Sequence, residues 1–69
     1  MSPRQQDVLQ FIIKFKQTNG YSPTIREIAK GINTSSINHV YSMIDDLQDK
    51  GYIRFTHGKQ RTIVVLKFE

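Results

Sequence analysis

The sequence predicts an α+β domain in which three helices are followed by a two-stranded antiparallel β-hairpin. Apolar residues recur at helical spacing in three successive segments of the first 50 residues. The pattern then changes to the alternation and β-branched composition that are typical of strands. A chain of 69 residues has room for one small hydrophobic core, so we expect a single domain over residues 1–69.

The first helix is predicted from Pro3 to about Thr18. Ser2 suits the N-cap, and Gln5 stands where its side chain would complete a capping box with Ser2. Proline is favoured at the first helical position. The pair Asn19-Gly20 tolerates left-handed backbone and ends the helix. The apolar face is formed by Val8, Leu9, Phe11, Ile12 and Phe15.

A second, shorter helix is predicted after an extended connector. Thr24 and Glu27 form a T-x-x-E capping box that marks its beginning, and its apolar pattern ends near Ile32. Asn33 follows, and asparagine is among the few residues that readily adopt a positive φ. We therefore expect the chain to turn at Asn33.

The third helix is predicted from Ile37 to about Lys50, with Ser36 at the end of a short polar turn as its N-cap. Two short helices joined by so tight a turn describe a helix-turn-helix. Strands are predicted at residues 52–55 and 61–68, on either side of a polar loop at residues 56–60. A hairpin that follows a helix-turn-helix makes a winged helix, and the loop would be its wing.

Composition favours an anionic partner. Lys and Arg number 10 against 6 Asp and Glu, which gives a net charge of +4, a balance that favours nucleic acid or an acidic surface. The chain has no cysteine, and His39 and His57 lack metal-ligand spacing. We therefore predict no metal and no cofactor. No catalytic constellation or glycine-rich phosphate loop is evident either, so we expect no enzyme activity.

The longest apolar run, residues 63–66, is far shorter than the ~18 residues that a membrane span requires. We expect a cytoplasmic protein with no membrane partner, and the sequence gives no sign of a small-molecule ligand.

The polar face of the third helix is a candidate for reading DNA bases. Opposite the apolar side lie Asn38 and Ser42, with His39 and Tyr41 on the flanks. These four residues occupy the first turn and a half, which is the part of a recognition helix that reaches base edges in the major groove. Asparagine suits bidentate reading of adenine. An ordinary solvated helix face is the alternative, but the position between a tight turn and a basic hairpin favours DNA reading.

Positive charge flanks the third helix and is sparse on it. Residues 35–51 carry a net charge of −2, whereas the segments before and after them each carry +3. This distribution suits a sequence-specific reader, because phosphate contacts supply position and base contacts supply specificity. The candidate phosphate contacts are Arg4 and Gln5 at the start of the first helix, Thr24 and Arg26 at the start of the second, and Gly58, Lys59, Gln60 and Arg61 in the wing. Plain helix caps and a solubilising polar loop are the alternatives.

Four short segments occur in an order that is specific as a combination. They are Pro3-Arg4-Gln5-Gln6, Asn19-Gly20-Tyr21-Ser22-Pro23-Thr24, Arg26-Glu27-Ile28-Ala29 and Lys50-Gly51-Tyr52-Ile53-Arg54. Together they resemble the N-terminal DNA-binding domain of the LexA repressors, over nearly the whole chain. The resemblance implies a winged helix-turn-helix that binds operator DNA as a pair of domains on a palindrome.

The resemblance also implies roles for individual residues. The base-reading positions of the family fall on Ser36, Asn38, His39, Tyr41 and Ser42, and its backbone contacts fall near Gln5, Lys50 and the wing from Gly58 to Arg61. Ser36 and Asn38 are family-like. The residues at positions 39, 41 and 42 depart from the usual ones, which indicates a different preferred operator. Asn33 stands where the family usually has a glycine.

The repressors of the family continue into a linker and a self-cleaving serine-lysine domain, which also dimerises them. We expect that domain to be absent from this chain, in which Glu69 is the last residue. Homodimerisation would then occur only on DNA or through the last strand.

The last predicted strand presents a candidate partner surface. If Ile63 and Val65 point inward, then Val64, Leu66 and Phe68 point outward, because side chains alternate along a strand. Outward apolar residues on an edge strand could bind a partner. In the alternative arrangement, Leu66 and Phe68 pack back onto the first helix.

We predict sequence-specific binding to double-stranded DNA and repressor-like regulation of transcription, with the third helix in the major groove and the wing on the backbone. The alternative function is a protein-interaction winged helix that docks on a repressor or on RNA polymerase. A winged helix without DNA binding is a third hypothesis. It is favoured by Asp45, Asp46 and Asp49, because a carboxylate in the groove must bind a cytosine amino group or be repelled by phosphate.

Overall fold

A computed structural model describes residues 2–67 of the chain. The elements in chain order are α1 (Pro3–Asn19), α2 (Ile25–Gly31), α3 (Ile37–Asp49), β1 (Ile53–Arg54) and β2 (Val64–Val65). The two strands pair antiparallel, with Ile53 opposite Val65 and Arg54 opposite Val64. The predicted winged helix-turn-helix is confirmed, and the three helices end within a residue of their predicted bounds.

The core is a single cluster to which every helix and the hairpin contribute. The buried apolar residues are Val8, Leu9 and Ile12 of α1, Ile25, Ile28, Ala29 and Ile32 in and after α2, Val40, Met43, Ile44 and Leu47 of α3, and Ile53, Phe55 and Ile63 of the hairpin. Each helix buries most of the apolar stripe that its spacing predicts. Phe11 and Phe15 are only half-buried, and the Phe11 ring lies over Gly31, where a Cβ atom would overlap it.

The ends of α1 follow the prediction in part. The Ser2 hydroxyl accepts a hydrogen bond from the N–H of Gln5 at 3.2 Å, and Gly20 ends the helix with a φ of 81°. The predicted capping box is wrong, however, because the Gln5 side chain does not return to Ser2. Its amide instead binds Asp46 and Lys50 at the far end of α3, which ties α1 to α3.

The turn between α2 and α3 has the predicted local chemistry. The capping box of α2 is complete: the N–H of Thr24 donates to the Glu27 carboxylate at 2.8 Å, and the N–H of Glu27 donates to the Thr24 hydroxyl at 3.2 Å. Asn33 has a φ of 61°, as predicted. The Ser36 hydroxyl accepts a hydrogen bond from the N–H of His39 at 3.2 Å and so caps α3.

The strands are shorter than predicted, with two residues each where the sequence indicated 52–55 and 61–68. Backbone groups next to the strands bond elsewhere. The N–H of Phe55 donates to the side chain of Gln48 on α3 at 2.7 Å, and Arg61 adopts left-handed backbone with a φ of 57°. The Thr62 hydroxyl bonds to the backbone of Thr56 and closes the wing loop.

The expected alternation of β2 is present among the described residues. Ile63 is buried, whereas the exposed fractions of Val64 and Leu66 are 45% and 51%. The exposed fraction of Leu66 argues against the alternative in which it packs back onto α1. Phe68, the third residue of the predicted partner surface, lies outside the described residues. Within residues 2–67, no helix has the length and apolarity to cross a membrane.

The backbone at Asn33 yields a stability prediction. Asn33→Val should lower the free energy of unfolding by about 1–2 kcal/mol, because a β-branched residue is strained at positive φ. Asn33→Gly should leave stability unchanged or raise it slightly, since glycine adopts this backbone freely. Urea unfolding monitored by circular dichroism measures both. Equal losses for the two variants would contradict the backbone explanation.

Candidate nucleic-acid interface

The predicted base-reading residues lie on the open side of α3. Ser36, Asn38, His39 and Ser42 are exposed, and Tyr41 is half-buried. They lie opposite the buried apolar stripe of the helix. The first two turns of α3 thus present amide, hydroxyl and imidazole groups to solvent and no side chain of Lys, Arg, Asp or Glu.

Tyr41 differs from its neighbours because the hairpin packs against it. Its ring stacks on the imidazole of His57 with centroids 5.6 Å apart and planes inclined by 20°. It also contacts the Phe55 ring at 6.2 Å. The orientation of Tyr41 is therefore set by the wing, which the helical wheel could not show.

Six of the nine predicted phosphate contacts line one cleft. This cleft of about 380 Å³ lies between the start of α2, α3 and the wing. It is lined by Thr24, Ile25, Arg26, Tyr41, Phe55, Gly58, Lys59, Gln60 and Arg61. The fold therefore brings together two basic segments that are more than 30 residues apart, and Tyr41 connects their cleft to the base-reading side of α3.

Arg61 is held within the chain. Its guanidinium donates to both carboxylate oxygens of Glu27, at 3.0 and 3.4 Å, and to the carbonyl of Ser22 at 3.1 Å. It also lies 4.5 Å above the centre of the Tyr21 ring. These contacts hold the base of the wing against the start of α2. Arg61 therefore has a structural role in addition to its predicted contact with phosphate.

Arg26 and Lys59 are the free cations of the cleft. Both side chains are exposed, and neither forms a hydrogen bond or ion pair with any residue of the described part, 2–67. A free ammonium or guanidinium group is available to a phosphate without first losing a partner.

The other predicted phosphate contacts lie at the far end of α3. The Lys50 ammonium donates to the Gln5 side chain at 3.0 Å, and Gln5 donates to Asp46 at 3.0 Å. Arg4 lies beside this network and approaches Asp7 at 4.0 Å. The start of α1 and the end of α3 thus form a second polar group, separate from the cleft.

One contact between the wing and α3 was missed by sequence reasoning. His57 Nε2 lies 2.9 Å from Asp45 Oδ1, with both side chains about half exposed. Neither this pair nor the pair of Glu27 and Arg61 has a local spacing that could reveal it. The only signal in the sequence was the presence of carboxylates and of side chains that can donate hydrogen bonds to them. No three His, Asp or Glu side chains gather as a metal site among residues 2–67.

Comparison with known proteins identifies the family. Residues 1–62 match the family described as the LexA DNA binding domain. The chain belongs to this family.

Among its LexA relatives, the LexA repressor of Geobacillus sp. (strain WCH70) is 41% identical over 66 residues, which is 96% of this chain and 32% of the relative. The LexA repressor of Desulfatibacillum aliphaticivorans is 37% identical over 67 residues, or 97% of this chain and 33% of the relative. That of Bacillus mycoides (strain KBAB4) is 39% identical over 66 residues. The chain therefore spans about a third of the length of these LexA repressors.

The contacts of Glu27 predict how stability depends on pH. The backbone N–H of Thr24 is the largest cause that lowers the pKa of Glu27 below its ordinary 4.5, burial opposes it, and Arg61 lowers the pKa further. A carboxylate whose pKa is depressed by folding stabilises the fold above its unfolded pKa, and this contribution is lost as the pH falls through the folded pKa. Wild type should therefore lose more stability than Glu27→Gln between about pH 6 and about pH 3.

Urea unfolding across this pH range measures the difference. Asp49→Asn is the matched control, because Asp49 forms no ion pair with residues 2–67, and it should keep the wild-type slope. An identical slope for Glu27→Gln and wild type would refute the prediction.

Proposed function

We propose that this domain binds double-stranded DNA sequence-specifically and acts in transcriptional repression, with α3 in the major groove and the wing along the adjacent backbone. The observation that carries the proposal is the placement of charge around α3. The first turns of α3, whose exposed side chains include no Lys, Arg, Asp or Glu, lie between the cleft with Arg26 and Lys59 and the second polar group at Gln5 and Lys50. Membership of the LexA DNA-binding family supports the same function.

Base reading falls to the first turns of α3. Asn38 can bind the N6 and N7 atoms of adenine with its amide, and Ser42 lies one turn further along the same face. The Ser36 hydroxyl accepts the N–H of His39 as the helix cap, so its own O–H remains available to donate to a base or phosphate. His39 is exposed beside Asn38 and can bind a base edge through either ring nitrogen.

Phosphate would be bound by the cleft on one side of the first turns of α3 and by the second polar group on the other. In the cleft, Arg26 and Lys59 supply charge, and Thr24, Gly58 and Gln60 supply polar or backbone groups. We assign Arg61 mainly to holding the wing, since its guanidinium already has partners. Lys50, Gln5 and Arg4 would bind the backbone at the other side. Each neutralised phosphate releases counterions, so affinity should fall steeply with salt.

Two substitutions separate reading from phosphate binding. Asn38→Ala should cost about 1–3 kcal/mol on the preferred site and little on unrelated duplexes, because one base contact is lost. Lys59→Ala should weaken binding to all sequences. It should also reduce the slope of log affinity against log salt concentration by about 1. Fluorescence anisotropy with a site selected from random duplexes, at several salt concentrations, measures both. Salt-independent binding by wild type would reject the proposed function.

The domain would act in the cytoplasm and bind a palindromic operator as a pair of copies, either brought together by DNA alone or also through the last strand. The exposed apolar side chains of Val64 and Leu66 support a contribution from β2. The same surface also supports the second candidate function, a winged helix that docks on another protein, for example a repressor or RNA polymerase.

Leu66→Ser distinguishes these uses of the last strand. If β2 helps two copies to pair, the variant should bind a single half-site as wild type does but bind two adjacent half-sites with lower cooperativity. If the surface docks on another protein, the variant should lose regulatory activity while its binding to both DNA probes stays intact. Lys59→Ala is the counterpart, because it should impair DNA binding and leave the apolar surface unchanged.

A further inference from the structure

Asp45 lies on the part of α3 that would face DNA. It follows Asn38 by seven residues and Tyr41 by four, so the three side chains lie in one row along the helix. Its side chain is half exposed. A free carboxylate at this place would approach the phosphates that border the groove and be repelled by them.

His57 of the wing engages this carboxylate. Its Nε2 atom lies 2.9 Å from Asp45 Oδ1, while its ring stacks on Tyr41 at 5.6 Å and meets the Phe55 ring edge-on at 4.9 Å. One imidazole thus contacts two successive members of the reading row and a core residue of the hairpin. A half-exposed contact between an imidazole and a carboxylate adds little to folding stability, whereas it fixes where the carboxylate lies.

We infer that His57 is a positioning residue for base reading, an inference that rests on the proposed function. It holds the Asp45 carboxylate toward the wing and so reduces its repulsion of phosphate. It also fixes the ring of Tyr41 from the side, so that Tyr41 presents a single edge to the base pair below it. The sequence preference of α3 therefore depends on a wing residue that has no need to touch a base.

A double-mutant cycle on the selected DNA site tests the first half. His57→Phe keeps an aromatic ring against Tyr41 and Phe55 but cannot donate to Asp45. It should lower affinity about fivefold, and the double variant His57→Phe with Asp45→Asn should recover it. Asp49→Asn combined with His57→Phe is the control, because it removes a carboxylate that has no ion-pair partner among residues 2–67 and should recover clearly less.

Selection of bound sequences tests the second half. His57→Ala removes the ring that stacks on Tyr41, and it should broaden the base preference at one position of the site. His57→Phe retains the ring and should leave that preference narrow. A merely structural role for His57 would weaken binding evenly and change no base preference. Melting temperatures close to that of wild type would show that the variants are folded.

The outcomes separate the inference from the proposed function. If wild type binds a selected site but His57→Phe binds equally well, or if Asp49→Asn recovers as much affinity as Asp45→Asn, His57 is not a positioning residue. If wild type selects no sequence at all, the proposed function fails first. The pairing has its own readout in the free protein: the ring-proton chemical shifts of His57 should move on Asp45→Asn and not on Asp49→Asn, and unchanged shifts would overturn it.

Discussion

The Glu27 carboxylate joins two segments of the candidate interface, the start of α2 and the wing. It accepts the N–H of Thr24 and so completes the cap of α2, and it accepts two hydrogen bonds from Arg61 in the wing. The cleft exists only because these two segments meet. The buried apolar residues place the helices, but they do not by themselves determine where the tip of a polar loop lies. Glu27 and the Arg61 guanidinium, which also contacts Ser22 and Tyr21, fix the base of this loop, and His57 fixes it further along through Asp45 and Tyr41.

The candidate interface carries its uncharged polar side chains and its cations on different elements. α3 carries amides and hydroxyls on its exposed first turns and no Lys or Arg, and Lys50 follows it as the C-cap. The free cations Arg26 and Lys59 come from α2 and the wing. On the proposed function, a helix whose first turns carry no Lys, Arg, Asp or Glu has little attraction for an arbitrary sequence, so general affinity and discrimination would come from different segments of the chain.

The helices were predictable because their causes are local. Caps such as Ser2, Thr24 and Ser36 and the positive φ of Asn33 depend on neighbours within four residues, and the apolar stripes follow from helical period alone. The strand lengths were not predictable, because β1 ends where the N–H of Phe55 donates its hydrogen bond to the side chain of Gln48 on α3. Side-chain pairs that close over long loops, such as Arg61 with Glu27 and His57 with Asp45, leave no periodic trace. The site residues thus stay a prediction from the sequence, and their partners within the fold were not predictable.

The exposed face of α3 has a consequence for how such a domain changes over time. Asn38, His39 and Ser42 contribute nothing to the buried core, so substitutions there should cost little folding stability. On the proposed function, the phosphate contacts lie on other segments and would survive such substitutions. New target sites would then be accessible in single steps through variants that remain folded, whereas a substitution of Tyr41 would also disturb its contacts with the hairpin. The buried core thus constrains the fold, while the exposed residues that we propose to read bases are free to change.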